Sequence, residues 1–163
     1  MPTHLVVDDN PSVATALGVL FSIRKLRTLG VDSPVAALEL LEREPIDLVI
    51  QDMNFSADTT CGDEGVQLFH DIRSAHPELP IILLTAWTQL ESAVELVKAG
   101  AADYLAKPWD NRKLLATVTN LLELSSARRE LDRRRVSESR RLRELAGRYD
   151  LREIGRASCR ERV

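Results

Sequence analysis

The stretch DLVIQDM, residues 47–53, decides the architecture. Leu48, Val49 and Ile50 form an unbroken apolar run, and two residues later the chain places an acid, Asp52. A strand with one wet face alternates apolar and polar residues, whereas an unbroken run fits a parallel strand covered on both faces. The same signature recurs at Leu5-Val6-Val7 and Ile81-Ile82-Leu83-Leu84, with weaker candidates at Thr28 to Val31 and Ala102 to Leu105.

Helical stretches lie between these runs. Val13, Ala16, Leu17 and Leu20 make one apolar stripe, and Leu90, Ala93, Val94 and Val97 make another. Val35, Leu38 and Leu41 fit the same spacing, as do Leu68, Phe69 and Ile72. Asn10-Pro11 and Ser33-Pro34 read as an N-cap followed by proline in the first helical turn. Gly30 and Gly100 stand where helix C-caps are expected, and Asp110 is placed to cap a last helix. Five β-then-α units with short connections predict an α/β fold with a doubly wound parallel sheet.

Composition fits that reading and excludes others. An apolar content of 44% supports a real core, so a disordered chain is not expected. No segment approaches the roughly 18 to 20 apolar residues of a membrane span, and MPTHLVVDDN lacks the pattern of a secretory signal. Cys61 and Cys159 make no disulfide framework, so a cytoplasmic setting is the expectation. The net charge of −3 hides a division. Residues 1–124 carry 18 acids and 9 Lys/Arg, a net −9, while residues 125–163 carry 7 acids and 13 Arg, a net +6.

The last helix is expected to overrun the globule, with no proline between Asn111 and about Tyr149. Leu114, Leu115, Val118, Leu121 and Leu122 are placed to pack on the sheet. Beyond them, residues 125–153 read as a charged helical linker. Leu124, Leu131 and Leu145 share one heptad position, interrupted by Glu138. Leu142 and Tyr149 share a second with Arg128 and Arg135. The seam is weak, and two readings stay open: a linker that pairs with help, or a solvated single helix. The interspersed acids Glu130, Asp132, Glu138 and Glu144 favour a solvated helix over a nucleic-acid surface for the arginine run. IGRASCRERV, 154–163, carries no periodicity that continues the helix. It reads as the translation of a common sequencing adapter, ATC GGA AGA GCG TCG TGT AGG GAA AGA GTG. It is therefore expected to be a non-native tail on a gene truncated in assembly, and is set aside with Cys159.

The polar residues fall where chemistry needs them. Asp8 and Asp9 follow the first strand, Asp52 ends the third, Thr85 ends the fourth and Lys107 follows the fifth. Open parallel α/β sheets bind ligands at the carboxyl ends of their strands, so these residues are predicted to converge. Carboxylates with a backbone carbonyl suit Mg²⁺, which keeps several waters that a phosphoryl oxygen can replace. One carboxylate can act as nucleophile and form an acyl phosphate. A lysine ammonium and a threonine hydroxyl supply the charge balance and positioning that phosphoryl transfer requires.

VVDDN at 6–10, DLVIQDM at 47–53, LLTA at 83–86 and DYLAKPW at 103–109 resemble the receiver domain of two-component response regulators, over residues 3 to about 124. The motifs occur in the family's order. The resemblance implies a flavodoxin-like sheet of order 2-1-3-4-5, a receiver domain over 1–124, and a phosphorelay role fed by a sensor histidine kinase. It implies that Asp52 is the phosphoacceptor, and that Asp8, Asp9 (the more direct ligand), Asp52 and the Asn54 carbonyl hold Mg²⁺. Lys107 would contact the phosphoryl group, Ala86 would flank it, and Thr85 and Tyr104 would form the switch pair. Thr88 to Lys98 and Asn111 onward would be the output face. Within the family, DMNFSADTTCGDEG, ILLTAWTQLESAVELVKAGAADYLAKPWD and the linker ending in RYDL look most like the nitrogen-regulator type of transcription activator. That type follows its receiver with an ATPase module, and no Walker-type glycine loop occurs in this sequence. A homodimer through the output face and the long helix is the expected output.

One departure stands out. Receivers carry a proline four residues after the acceptor. Here that position is Ser56, and a longer loop runs to Gly62. This bears on loop geometry and access to the site; the loop either tunes the site or is a neutral insertion. Two rival functions compete with this reading. A Mg²⁺-dependent phosphatase with an aspartyl nucleophile would place a second acid at position 54, where Asn54 stands, so an enzyme is not expected beyond slow self-dephosphorylation. A degenerate receiver that only binds partners is opposed by the complete acidic set and Lys107. Residue by residue, Trp87 and Trp109 read as packing anchors. His4, expected to precede the first strand, reads as structural. His70 and His76 lack metal-ligand spacing, and Cys61 reads as an exposed bystander.

Overall fold

The computed structural model describes residues 1–55, 63–86 and 90–161, with side chains through residue 148 except that of Asp63. The loop around Ser56 and Cys61, Trp87, Thr88 and the side chain of Cys159 lie outside the described residues. The chain divides into two compact units, Met1–Ser125 and Ser126–Val163.

In the first unit β1 (Thr3–Val7), β2 (Arg27–Val31), β3 (Leu48–Asp52), β4 (Ile81–Thr85) and β5 (Asp103–Ala106) form one sheet. The order is β2-β1-β3-β4-β5 and every pairing is parallel, as the sequence predicted. The helices are α1 (Pro11–Ser22), α2 (Pro34–Arg43), α3 (Asp63–Ala75), α4 (Leu90–Lys98) and α5 (Asn111–Glu161).

The unbroken apolar strands have a direct cause. Alternate residues feed two separate cores, one on each face of the sheet. Leu5, Val7, Val49, Ile81 and Leu83 pack with Ala37 and Leu41 of α2, Leu68, Phe69 and Ile72 of α3, and Ala93 and Leu96 of α4. Val6, Leu48, Ile50, Ile82, Leu84 and Leu105 pack with Leu17 and Phe21 of α1 and Leu114 and Val118 of α5.

Helix starts follow the sequence. The Ser12 N–H donates to Asn10 Oδ1 at 3.0 Å, the Ala36 N–H to Ser33 Oγ at 3.2 Å and the Arg112 N–H to Asp110 Oδ1 at 2.8 Å. Helix faces differ in detail. Ala16 is exposed and Ala14 packs on the core in its place. Val35 and Val94 are exposed too, and α2 and α4 bury Ala37, Leu41, Ala93 and Leu96. The reason is geometric: each helix lies on a flat sheet along a narrow line, and one residue of rotation exchanges inner for outer apolar positions.

Two further expectations about this unit are corrected. Gly30 does not cap a helix. It lies within β2, where a Cβ would stand 2.8 Å from Ala14 Cβ, so glycine here lets α1 approach the sheet. Lys25, with φ of 58°, takes the left-handed position after α1, while Gly100, with φ of 119°, follows α4 as predicted. His4 lies inside β1 rather than before it, fully buried and stacked on Phe21 with ring centroids 4.8 Å apart.

In the second unit the α5 backbone stays helical to Glu161, past the helical linker expected over 125–153 and into the segment 154–163 that was expected not to continue it. Residues 150–161 contain no proline, and their Arg, Glu, Leu and Ala residues are strong helix formers. No helix among the described residues is long and apolar enough to cross a membrane.

Candidate phosphoacceptor site

Strand parity builds the site. Asp8, Asp52 and Lys107 stand two residues past Val6, Ile50 and Leu105, which share one core. Their side chains thus leave the same face of the sheet at its carboxyl edge, where the strands stop and backbone N–H groups come free. The Asn10 N–H donates to Asp8 Oδ1 at 2.9 Å, and the Asn54 N–H to Asp52 Oδ1 at 3.3 Å. Met53 donates its N–H to the Leu84 carbonyl at 3.0 Å, and Lys107 its N–H to the Thr85 carbonyl at 2.9 Å, so the edge is laced before any ligand arrives.

Lys107 Nζ lies 3.1 Å from Asp8 Oδ2 and 3.3 Å from Asp52 Oδ1. Asp8 and Asp52 are only 2% and 4% exposed, whereas Asp9 is open to solvent. Burial pushes the Asp52 carboxyl above the usual carboxylate range; Lys107 opposes this and the Asp8 charge adds to it. The Asp9 carboxyl is also raised, first by loss of hydration and then by Asp8. Burial alone would lower Lys107, but Asp52 and Asp8 outweigh it and hold the ammonium above its ordinary value. One cation thus serves two buried carboxylates, with a third beside them.

One oxygen from each of Asp8, Asp9 and Asp52 comes within 4.8 Å of the others, so the donor set fits a small hard cation. Thr85 is fully buried and donates its hydroxyl to the Ala86 carbonyl at 3.1 Å. It shares strand parity with Leu83, whose register partner on β5 is Tyr104, and Tyr104 is partly buried against the same core. Asp8, Asp9, Asp52 and Lys107 are thereby brought together, with Thr85 and Tyr104 on the opposite sheet face. Trp109 packs against the α1/α5 core and donates its indole N–H to Asn111 Oδ1 at 3.0 Å, an anchor as expected.

Sequence reasoning missed Gln51 and Gly65. Gln51 is fully buried next to Asp52, and its amide Nε2 donates to the Gly65 carbonyl at 2.6 Å. A Cβ on Gly65 would overlap the backbone of Met53. Together they seat the start of α3 against the chain just after Asp52. The available signal was a glutamine ending an otherwise apolar run.

A five-stranded sheet of this order, with clustered acids and a lysine at its carboxyl edge, defines the class. The sequence matches the response regulator receiver domain over residues 5–119, and the chain belongs to that family. It is 35% identical over 144 residues to the response regulator protein PilR of Pseudomonas aeruginosa, covering 86% of this chain and 31% of PilR. It is 32% identical to the transcriptional regulatory protein GlrR of Escherichia coli over 77% of this chain and 27% of GlrR. The chain thus spans about a third or less of these relatives. Among solved structures, the receiver domain of a Bacteroides fragilis two-component response regulator aligns with TM-score 0.67 at 36% identity, over 75% of this chain and 97% of that one. NtrX of Brucella abortus aligns with TM-score 0.71 at 26% identity, over 81% of this chain and 29% of that one. These likenesses agree with the resemblance to nitrogen-regulator activators.

Proposed function

We propose that Asp52 accepts a phosphoryl group from the phosphohistidine of a sensor histidine kinase in the cytoplasm, and that the resulting acyl phosphate switches an output face regulating transcription. The observation that carries this is the buried Asp52 carboxylate, held 3.3 Å from Lys107 and clustered with Asp8 and Asp9. An Asp52 oxygen attacks phosphorus, the phosphorus–nitrogen bond breaks, and the imidazole keeps the electron pair. Asp8, Asp9, Asp52 and the Asn54 carbonyl would hold Mg²⁺, which neutralises charge on the transferring group. Lys107, already poised between two carboxylates, moves its ammonium onto the new phosphoryl oxygens. Burial favours this step, because it raises the free energy of the ionised carboxylate before attack.

Thr85, whose hydroxyl donates to the neighbouring Ala86 carbonyl, turns toward the phosphoryl group, and Tyr104 on the same sheet face follows inward. Such a local charge event biases a two-state surface, formed by residues 88–98 and α5. Dimerisation through that face and the long helix is the output, acting on an ATPase module outside this chain. Residues 154–163 take no part, as a non-native tail.

The test is direct. Acetyl phosphate with Mg²⁺ adds one base-labile phosphoryl group to the protein and none to Asp52→Ala. Absence of the adduct, or equal labelling of the variant, overturns the reading.

A further inference from the structure

Every described side chain from Ser126 to Arg148 is exposed, including Leu131 at 54%, Leu142 at 66% and Leu145 at 49%. The helix therefore buries nothing within its own unit. Its leucines fall on one heptad seam that also carries Arg128 between Leu124 and Leu131, and two adjacent polar residues interrupt the middle of that seam: Arg135 in the series of Leu142, and Glu138 in the series of Leu131 and Leu145. They stand one turn apart on the same face. One pair off the seam, Glu130 with Arg134, lies at 3.2 Å. Neither Arg135 nor Glu138 enters an ion pair among the described residues.

We infer that Arg135 and Glu138 form two crossed ion pairs with Glu138 and Arg135 of a second copy of this chain, and that this charge match selects the partner and sets its register. A two-fold pairing is self-complementary: if Arg135 meets Glu138 of the other copy, the reverse contact follows. Packed antiparallel, the seam sets Arg135 in one layer with Glu138 of the second copy; packed parallel, it sets Arg135 beside Arg135 and Glu138 beside Glu138, with the opposite charges one layer apart. Each residue thereby finds an opposite charge in a second copy. An apolar partner helix would leave both charges against a leucine seam without compensation. The leucines supply the attraction, and the polar pair penalises any register that separates it. This deepens the proposed output and rests on its claim that the long helix pairs with a second copy.

Sedimentation velocity on the full chain tests it, with and without acetyl phosphate and Mg²⁺. Arg135→Glu and Glu138→Arg each place like charges across the seam and weaken dimerisation by about tenfold. The double variant Arg135→Glu/Glu138→Arg restores it to within about twofold while helicity by circular dichroism stays constant. A dimer indifferent to the single reversals, or a double variant no better than the weaker single, overturns the charge match and leaves dimerisation standing. A wild-type chain that stays monomeric in both states overturns the self-pairing claim and the charge match with it.

Discussion

The Lys107 ammonium reaches past the end of β4 to lie 3.3 Å from the Asp52 carboxylate on β3. It also touches Asp8 at 3.1 Å, so one ammonium balances two carboxylates that are almost fully buried. Lys107→Met therefore strands both acids in low dielectric. The expected loss is about 3 kcal/mol in Mg²⁺-free buffer near neutral pH, read from urea unfolding. Asp52→Asn moves the other way. Folding raises the Asp52 pKa, so its ionised form opposes folding at neutral pH, and the penalty lifts as pH falls through the folded value. A neutral isostere removes it, and the urea midpoint rises. A fall in the midpoint would show that the Lys107 attraction, rather than burial, dominates at Asp52.

Magnesium should invert the balance. A cation held by Asp8, Asp9 and Asp52 binds the folded chain alone, and at a hundredfold excess over its Kd it adds about 2.7 kcal/mol of stability. Asp9 separates this gain from ordinary folding energy, because it is exposed. Asp9→Ala leaves stability unchanged or slightly higher without metal and loses most of the magnesium gain. Thermal melts with and without MgCl₂ measure both.

His4 sets a separate limit on the acid side. Burial lowers its pKa from 6.5 to about 4, and the nearby Arg27 backbone and Asp47 carboxylate offset this only in part. Neither ring nitrogen has a hydrogen-bond partner among the described residues. The unfolded chain binds a proton that the folded chain refuses, so stability falls as pH drops from about 6.5 to about 4 and levels off below. The full loss is about 3 kcal/mol. His4→Phe, which keeps an aromatic ring against Phe21, removes this slope. The difference between wild-type and variant stability curves checks it free of the carboxylates, which titrate in both.

How much could be read without coordinates follows from what each residue answers to. Asp8, Asp52 and Lys107 were legible because strand ends are marked by the close of apolar runs, and a parallel sheet gathers its carboxyl ends on one edge. Gly30 was misread because a glycine near a helix end and a glycine under a helix look alike in sequence. Arg73 gave no signal at all. It is partly buried, and its guanidinium donates to the carbonyls of Pro77 at 2.7 Å and Gly100 at 2.9 Å, with Phe69 beneath it. Those partners are fixed only once α3 and α4 lie side by side.

The glycines separate close packing from helix propensity. An Ala14 methyl carbon stands 2.8 Å from a Cβ on Gly30, and the Met53 backbone overlaps one on Gly65, whereas Gly18 in α1 has only Thr28 Cβ at 4.0 Å. Gly18→Ala is therefore free to gain helix propensity and stabilises by up to about 1 kcal/mol. Gly30→Ala pushes α1 off the sheet and costs about 1 to 3 kcal/mol. Gly65→Ala costs at least as much, since backbone cannot rotate away as a side chain does. It also displaces Met53, the residue after Asp52, and pulls on the Gln51 amide bond to the Gly65 carbonyl. Gly65→Ala should thus slow acyl phosphate formation from acetyl phosphate even at temperatures where the variant is fully folded. Gly18→Ala leaves that rate unchanged. Equal rates for wild type and Gly65→Ala would show that the seat of α3 has no part in positioning Asp52.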